Sequence, residues 1–373
     1  PSMITFTVKC ARTAEEQNMD VYGIIMAGGG GSRFWPLSRQ ATPKQLLNLT
    51  GKDLMVNETL DRMGLVIPGK NMYIVTNCTQ ALAMEQAVHG RVLPGQILAE
   101  PAARNTAACI GYAAFEVLKK RGDGILCVAP SDAYIRDWPA FAAVLETAVK
   151  AAEQTNQLVT IGIQPTFPAT GYGYIQYDPQ EHAAAHKVLQ FKEKPDEATA
   201  KRYLAQGGYA WNSGMFIWKA SVILEQYRRY LPQVYEPLEC IANAMGTADE
   251  QQVLREVYPT IPSISVDYGI LERSSDVWMV NGDFGWNDVG SWDMLPVLHP
   301  ADEQGNVTVG DCLPLNCENV IGYSSGRLVA AVGVKDLIVV ETPDAVMVCD
   351  RNHAQDVKSI VEELKRQGRT ELL

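Results

Sequence analysis

The stretch Val21–Gln45, VYGIIMAGGGGSRFWPLSRQATPKQ, decides how this chain is read. Residues 21–26 form a short apolar run closed by glycines, the pattern of a buried strand in a parallel sheet. Gly28, Gly29, Gly30 and Gly31 follow at once and put no side chain between the backbone and a ligand. Successive N–H groups in such a loop form a concave anion site, and Arg33, Arg39 and Lys44 come close behind. Strand, glycine loop and clustered cations describe a polyphosphate cradle. A ligand-free turn would leave the cations and Pro43-Lys44-Gln45 unexplained.

Two other phosphate loops are excluded by single positions. A dinucleotide loop starting at Gly28 needs glycine at 33, where Arg33 stands. A Walker-type loop needs Gly-Lys-Ser/Thr, and neither Gly51-Lys52-Asp53 nor Gly69-Lys70-Asn71 supplies it.

With 373 residues the chain has room for one large domain and a smaller one. Its net charge of −11 argues against nucleic acid or an anionic membrane as a partner. An acidic protein that handles a polyphosphate must gather its cations locally, as Arg33, Arg39 and Lys44 do. Eight scattered cysteines without a Cys-x-x-Cys suggest buried thiols in a reducing, cytoplasmic setting rather than a disulfide framework or zinc site. No apolar run has the length of a membrane span. Residues 1–18 read as an expression scar or upstream extension and are set aside.

From 19 to about 300, strand-like runs alternate with helical patterns. Tyr73-Ile74-Val75, residues 125–129 and residues 158–163 are strand candidates; 104–120 and 138–154 read as helices. The alternation predicts an α/β domain, a mostly parallel sheet with helices on both faces. Ligands of such sheets lie beyond the carboxyl ends of the strands, which places Gly28 and Asp132 on one crevice. From 301 to 373 short strands recur about every ten residues, predicting a small β-rich domain. It ends in a helix with Val357, Ile360, Val361 and Leu364 on one face. This tail shows no obvious chemistry and reads as a packing or dimerisation module, with a regulatory site as the alternative and a homodimer as the expected assembly.

The run AGGGGSRFWPLSR followed by PKQ resembles the signature of the sugar-phosphate nucleotidyltransferases. The form with Phe34-Trp35-Pro36-Leu37-Ser38-Arg39 resembles the mannose-1-phosphate guanylyltransferase branch, and further motifs extend the resemblance over about 21–350. The family implies a Rossmann-like nucleotidyltransferase sheet. In it Ala27, Gly28, Gly29, Gly30, Gly31 and Ser32 wrap the triphosphate, and Arg33 and Lys44 act on the reacting phosphates. Glu100-Pro101-Ala102-Ala103-Arg104-Asn105-Thr106-Ala107 resembles the segment beside the nucleoside, which assigns Glu100, Pro101, Asn105, Thr106 and Ala107 to nucleotide binding. A helix start capped by Asn105 or Thr106 is the plainer reading of the same residues.

Asp132, at the end of a strand, suits a Mg²⁺ held against phosphate oxygens. The family has Pro-Ser-Asp-His there, whereas this chain has Ala133. Asp288, in Gly285-Trp286-Asn287-Asp288-Val289-Gly290-Ser291-Trp292, would be the second metal ligand; Mn²⁺ is a possible substitute ion. Gly171, Tyr172 and Gly173, then Glu193 and Lys194 of Phe191-Lys192-Glu193-Lys194-Pro195, and Asn212 of Trp211-Asn212-Ser213-Gly214 would hold the sugar phosphate. A glycine-kinked strand and a solvated charge run are the plainer readings of the first two.

The five histidines form no arguable catalytic triad or metal motif, so no covalent intermediate is suggested. The implied reaction is attack of mannose 1-phosphate on the α-phosphorus of GTP, giving GDP-mannose and pyrophosphate. The rivals are another hexose phosphate or nucleotide, and a catalytically silent sugar-nucleotide sensor. Some relatives of this type carry a fused isomerase, which the sequence lacks the histidine-rich motif to supply.

Overall fold

The computed structural model describes residues 19–93, 95–180 and 183–373. The reading of 1–18, Cys10 and His182 lie outside them. Val21–Met26 is flanked in parallel by Met72–Asn77 and Ile125–Pro130, with Ile24 opposite Tyr73 on one side and Val128 on the other. Across the sheet the order is Ile97–Glu100, Met72–Asn77, Val21–Met26, Ile125–Pro130, Tyr209–Lys219, Leu158–Ile163, Val277–Gly282 and His186–Lys187. Tyr209–Lys219 runs antiparallel to both neighbours, so the sheet is mostly but not wholly parallel.

Alternation along the strands splits the core in two. Tyr22 and Ile24, with Leu126 and Val128, face the helices Asn105–Arg121, Ala220–Tyr230 and Pro232–Ala244. Ile25, with Ile125, Cys127 and Ala129, faces Met55–Met63 and Trp138–Thr155. Each fully buried Ile or Leu contributes about 1.5–3 kcal/mol by leaving water. Strands with both faces covered hold the loops at their carboxyl ends firmly in place.

The sheet gives one motif its setting and changes one sequence expectation. Trp211-Asn212-Ser213-Gly214 lies inside an eleven-residue strand, whose register shifts between Asn212 and Phe216. The bulge, with Gly214 at φ 74°, turns Asn212 toward the crevice. Cysteine burial is also mixed: Cys109, Cys127 and Cys317 are buried, but Cys78 and Cys240 are exposed.

The tail coils. Val307–Val309, Ile321–Ser324 and Leu337–Thr342 stack in parallel, Ala345–Asp350 closes that sheet antiparallel, and Cys312–Leu315 pairs with Val329–Val332. Its inner residues Val307, Ile321, Ile338 and Val340 share one core with Phe34, Trp35 and Trp292. Trp35 Nε1 donates to the carbonyl of Leu372 at 2.9 Å, and Trp292 Nε1 to the carbonyl of Trp35 at 3.0 Å. The aromatic part of the signature is therefore the seat of the tail. Arg39 has the same role: its guanidinium grips Asp344 at 2.7 and 3.0 Å. This corrects its place in the cation cluster, since the charge is committed to the tail.

Candidate active site

The glycine loop starts where the Val21–Met26 strand ends. Gln45 supports it, its amide donating to the carbonyls of Ala27 at 2.9 Å and Gly29 at 3.0 Å. Gly31 adopts φ 61°, and a Cβ there would lie 2.4 Å from Cβ of Lys44. Conformation and space both demand glycine at this position. Ser32 and Arg33 then form a short 3-10 turn, with Arg33 exposed.

Gly31, Ser32, Arg33, Lys44, Asp132, Gly171, Tyr172, Gly173, Glu193, Lys194, Asn212 and Asp288 line one cleft of about 480 Å³. Lys44, almost wholly buried, joins its two walls. Its Nζ is 3.0 Å from Asp132 Oδ2 and donates to the backbone carbonyl of Asp288 at 2.6 Å. Tyr172 donates to Asp288 Oδ1 at 2.7 Å, so one carboxylate oxygen of Asp288 is already oriented. Residues 132 and 288 thus meet through one ammonium, although a long stretch of sequence separates them.

The opposite wall is acidic and buried. Asn212 Nδ2 donates to Asp267 Oδ1 at 2.8 Å, and Lys194 Nζ is 3.1 Å from Glu193 Oε1. Glu193 Oε2 is buried without a hydrogen-bond partner among the described residues. A Cβ on Gly173 would lie 2.4 Å from that oxygen, so glycine admits the carboxylate to the cleft. Burial, with Glu193 adding like charge, pushes the Asp267 carboxyl up to about 6. An unpaired buried acceptor is costly unless a ligand donor meets it. Sugar hydroxyls are donors of the required kind.

The 100–107 segment lies outside the lining of this cleft and divides into two roles. Glu100 is buried, accepts a hydrogen bond from Tyr258 OH, and has Oε2 3.3 Å from the place a Cβ on Gly28 would take. Ala27, Gly28, Gly29 and Gly30 also lie outside the lining, in which Gly31 is the one glycine of the loop; of Gly28, Gly29 and Gly30 only Gly28 comes near Glu100. Neither Asn105 nor Thr106 caps the helix: Arg104 occupies the cap position without a side-chain hydrogen bond. Thr106 Oγ1 instead accepts from the N–H of Val266 at 2.9 Å, and Ala107 contributes its N–H to Ile264 and its carbonyl to Tyr227. Pro101 is half-buried and Asn105 exposed at φ 65°.

Burial pushes the Glu100 carboxyl up to about 7, with the Tyr258 hydroxyl opposing the shift. A carboxyl raised in the folded state favours folding below its unfolded value and loses that contribution as pH rises through the folded one. Wild-type protein is therefore expected to lose stability between about pH 4.5 and 7, and Glu100→Gln to lose about 3 kcal/mol less over that window. Urea midpoints at several pH values for both proteins check this. Parallel curves would remove Glu100 as the source.

Asp267, Gln45, Trp286 and Lys358 are site residues to which the sequence reading gave no role of their own. Asp267 left one signal, an acid embedded in the apolar run Val266-Asp267-Tyr268-Gly269-Ile270-Leu271. Lys358 left none; it brings one residue of the tail to the lining of the cleft.

Residues 22–305 match the nucleotidyl transferase family, and 310–364 match the MannoseP isomerase/GMP-like beta-helix domain. Among curated relatives, the mannose-1-phosphate guanylyltransferase of Klebsiella pneumoniae is 40% identical over 352 residues, 93% of this chain and 74% of that protein. The chain belongs to the mannose-1-phosphate guanylyltransferases. The xanthan biosynthesis protein XanB of Xanthomonas campestris pv. campestris is 43% identical over 353 residues, 94% of this chain and 75% of that one. A crystal structure from Thermus thermophilus, described as a mannose-1-phosphate geranyltransferase, is 34% identical with a TM-score of 0.85. It covers 93% of this chain and 100% of its own. Family membership makes the chain a transferase enzyme. Among the described residues, no helix of this guanylyltransferase is long and apolar enough to cross a membrane.

Proposed function

We propose that the enzyme transfers GMP from GTP to mannose 1-phosphate, releasing pyrophosphate, by direct in-line displacement in the cytoplasm. The observation that carries this reading is the Lys44 ammonium, set between Asp132 and Asp288 below the glycine loop. The loop N–H groups and Arg33 hold the polyphosphate, and Lys44 faces the reacting phosphates. Fixed cations there stabilise charge that builds on the α-phosphoryl oxygens and the departing pyrophosphate. Glu193, Asn212 and Asp267 orient the hexose, with the unpaired Oε2 of Glu193 accepting from a hydroxyl. Lys194 is free to turn from Glu193 to the sugar phosphate. The nucleophile is the phosphate oxygen of the sugar substrate, so the protein supplies position and charge rather than a covalent partner.

Two carboxylates on one cleft are a donor set suited to Mg²⁺, which commonly binds one or two carboxylates and completes its shell with water and phosphate. Asp132 and Asp288 would hold it, with Mn²⁺ as a substitute, and bound metal would neutralise phosphate charge. For the base, Glu100 Oε2 beside Gly28 is an acceptor for the N1–H and N2–H donors of guanine. A site built on that pairing leaves its own groups unsatisfied by adenine. A pyrophosphate-release assay across nucleoside triphosphates and hexose 1-phosphates tests the whole reading. Equal efficiency with ATP and GTP would sink the guanylyl assignment, and preference for another hexose the mannosyl one.

We further infer a homodimer through the tail. Leu313 and Leu315 stand outward beside Ala330 and Val332 in register, and Leu328, Val346 and Val348 are exposed as well. Exposed apolar rows of this kind mark interaction surfaces. Leu315→Lys with Val332→Lys is expected to give monomers by light scattering. A wild-type monomer at micromolar concentration would dismiss the assembly.

A further inference from the structure

Four cations line the cleft: Arg33, Lys44, Lys194 and Lys358. Lys44 is paired with Asp132 and Lys194 with Glu193. Arg33 and Lys358 form no ion pair among the described residues, and both are exposed. Lys358 comes from the tail. It sits in the first turn of the helix Val357–Arg366, which packs against the turn Ser32–Phe34 that carries Arg33.

Fixed contacts hold that helix in place. Val357 and Leu364 are buried in the core that contains Phe34 and Trp292. Just before the helix, Gln355 Nε2 donates to Ser291 Oγ at 2.7 Å, three residues beyond Asp288. Lys358 is thus presented to the cleft from a seated element, with a flexible stem and a free ammonium. Two uncompensated cations flanking the end of a glycine loop repel each other until an anion comes between them. Arg33 and Lys358 line the cleft together with Gly31 and Ser32, where the glycine loop ends, so a polyphosphate carried past Gly31 would meet both cations.

We propose that Lys358 binds the β- and γ-phosphates of the nucleoside triphosphate, and pyrophosphate in the reverse reaction, opposite Arg33. The tail thereby supplies one wall of the leaving-group subsite. The proposal rests on the reading of the enzyme as a nucleotidyltransferase that releases pyrophosphate. In reverse, a pyrophosphate oxygen bonds to the α-phosphorus of GDP-mannose, the bond to the mannosyl phosphate oxygen breaks, and GTP and mannose 1-phosphate leave. Only ligands that carry the β,γ-unit, or pyrophosphate itself, reach Lys358; GDP-mannose and mannose 1-phosphate do not.

The test measures steady-state constants in both directions for wild type, Lys358→Met and Lys358→Arg. Lys358→Met is expected to raise KM for pyrophosphate and for GTP roughly tenfold or more, the effect of losing one charge-assisted contact. KM for GDP-mannose and mannose 1-phosphate should stay within about twofold, and Lys358→Arg should recover most of the loss. Lys358 is exposed, so the thermal midpoint should not change. An unchanged KM for pyrophosphate would overturn the proposal, as would equal increases for GDP-mannose. If wild type itself fails to cleave any nucleotide sugar with pyrophosphate, the functional reading and this one fall together. Active wild type with an indifferent Lys358→Met removes this one alone.

Discussion

Lys44→Met is expected to lower kcat/KM by about 10²–10³-fold, the scale of losing one preorganised contact to transition-state charge. The side chain is nearly inaccessible, and its Nζ touches Asp132 at 3.0 Å and the carbonyl of Asp288 at 2.6 Å. Methionine fills nearly the same volume, so the backbone of Gly31, packed against the Lys44 stem, should keep its course. What disappears is the charge. The loss should fall mainly on kcat, because the contact strengthens as charge gathers on the phosphates, and KM for mannose 1-phosphate should move little. A variant with near-wild-type turnover would take Lys44 out of the chemistry. Arg33→Ala should show a comparable loss, divided more evenly between kcat and the KM for GTP.

The first strand and glycine loop were legible because their signals are local: an apolar run, four glycines and cations within one short stretch of sequence. The same is true of 158–163, whose bounds coincide with the strand found. Long-range pairing was not legible. Arg39 looks identical to Lys44 in the sequence, a cation behind a glycine loop, yet one meets Asp344 and the other Asp132. Only the tail's seat on Phe34 and Trp35 decides between them. Asp267 stands in the run Val266-Asp267-Tyr268-Gly269-Ile270-Leu271-Glu272, and nothing local says that its carboxylate enters the cleft beside Asn212. The bulge at Asn212 was hidden because strand pattern does not mark register. Lys358 stands on the polar face of an amphipathic helix, where a lysine usually means solvation.

These contacts also change what loss of the tail should do. Residues 305–373 share a core with Trp292 and with the signature aromatics, which lie within a few residues of Asp288 and Gly31 respectively. Removing them would uncover Phe34 and Trp35 and release Arg39. Assembly, stability and the cleft would be damaged together, because one hydrophobic core underlies all three.

Asp288→Asn and Asp132→Asn test the metal, and each is expected to cost about 10³-fold or more in kcat while leaving the fold intact. A divalent ion at transferring phosphate contributes several kcal/mol, and each tenfold in rate is about 1.4 kcal/mol. The two positions need not respond equally. Asp288 receives the Tyr172 hydroxyl on Oδ1, which leaves Oδ2 for a ligand, whereas Asp132 must share its Oδ2 environment with the Lys44 ammonium. Asp288→Asn should therefore impair metal binding more than Asp132→Asn does. Mg²⁺ held by so few protein oxygens should bind weakly until nucleotide supplies its phosphates. Mn²⁺ titrated in the presence of GTP and followed by electron paramagnetic resonance reads this independently of turnover. Tight binding in wild type should weaken at least tenfold in Asp288→Asn, and EDTA should abolish activity that Mg²⁺ or Mn²⁺ restores. Full activity in EDTA, or Mn²⁺ binding unaltered in both variants, would leave the two carboxylates as partners of Lys44 and Tyr172 alone.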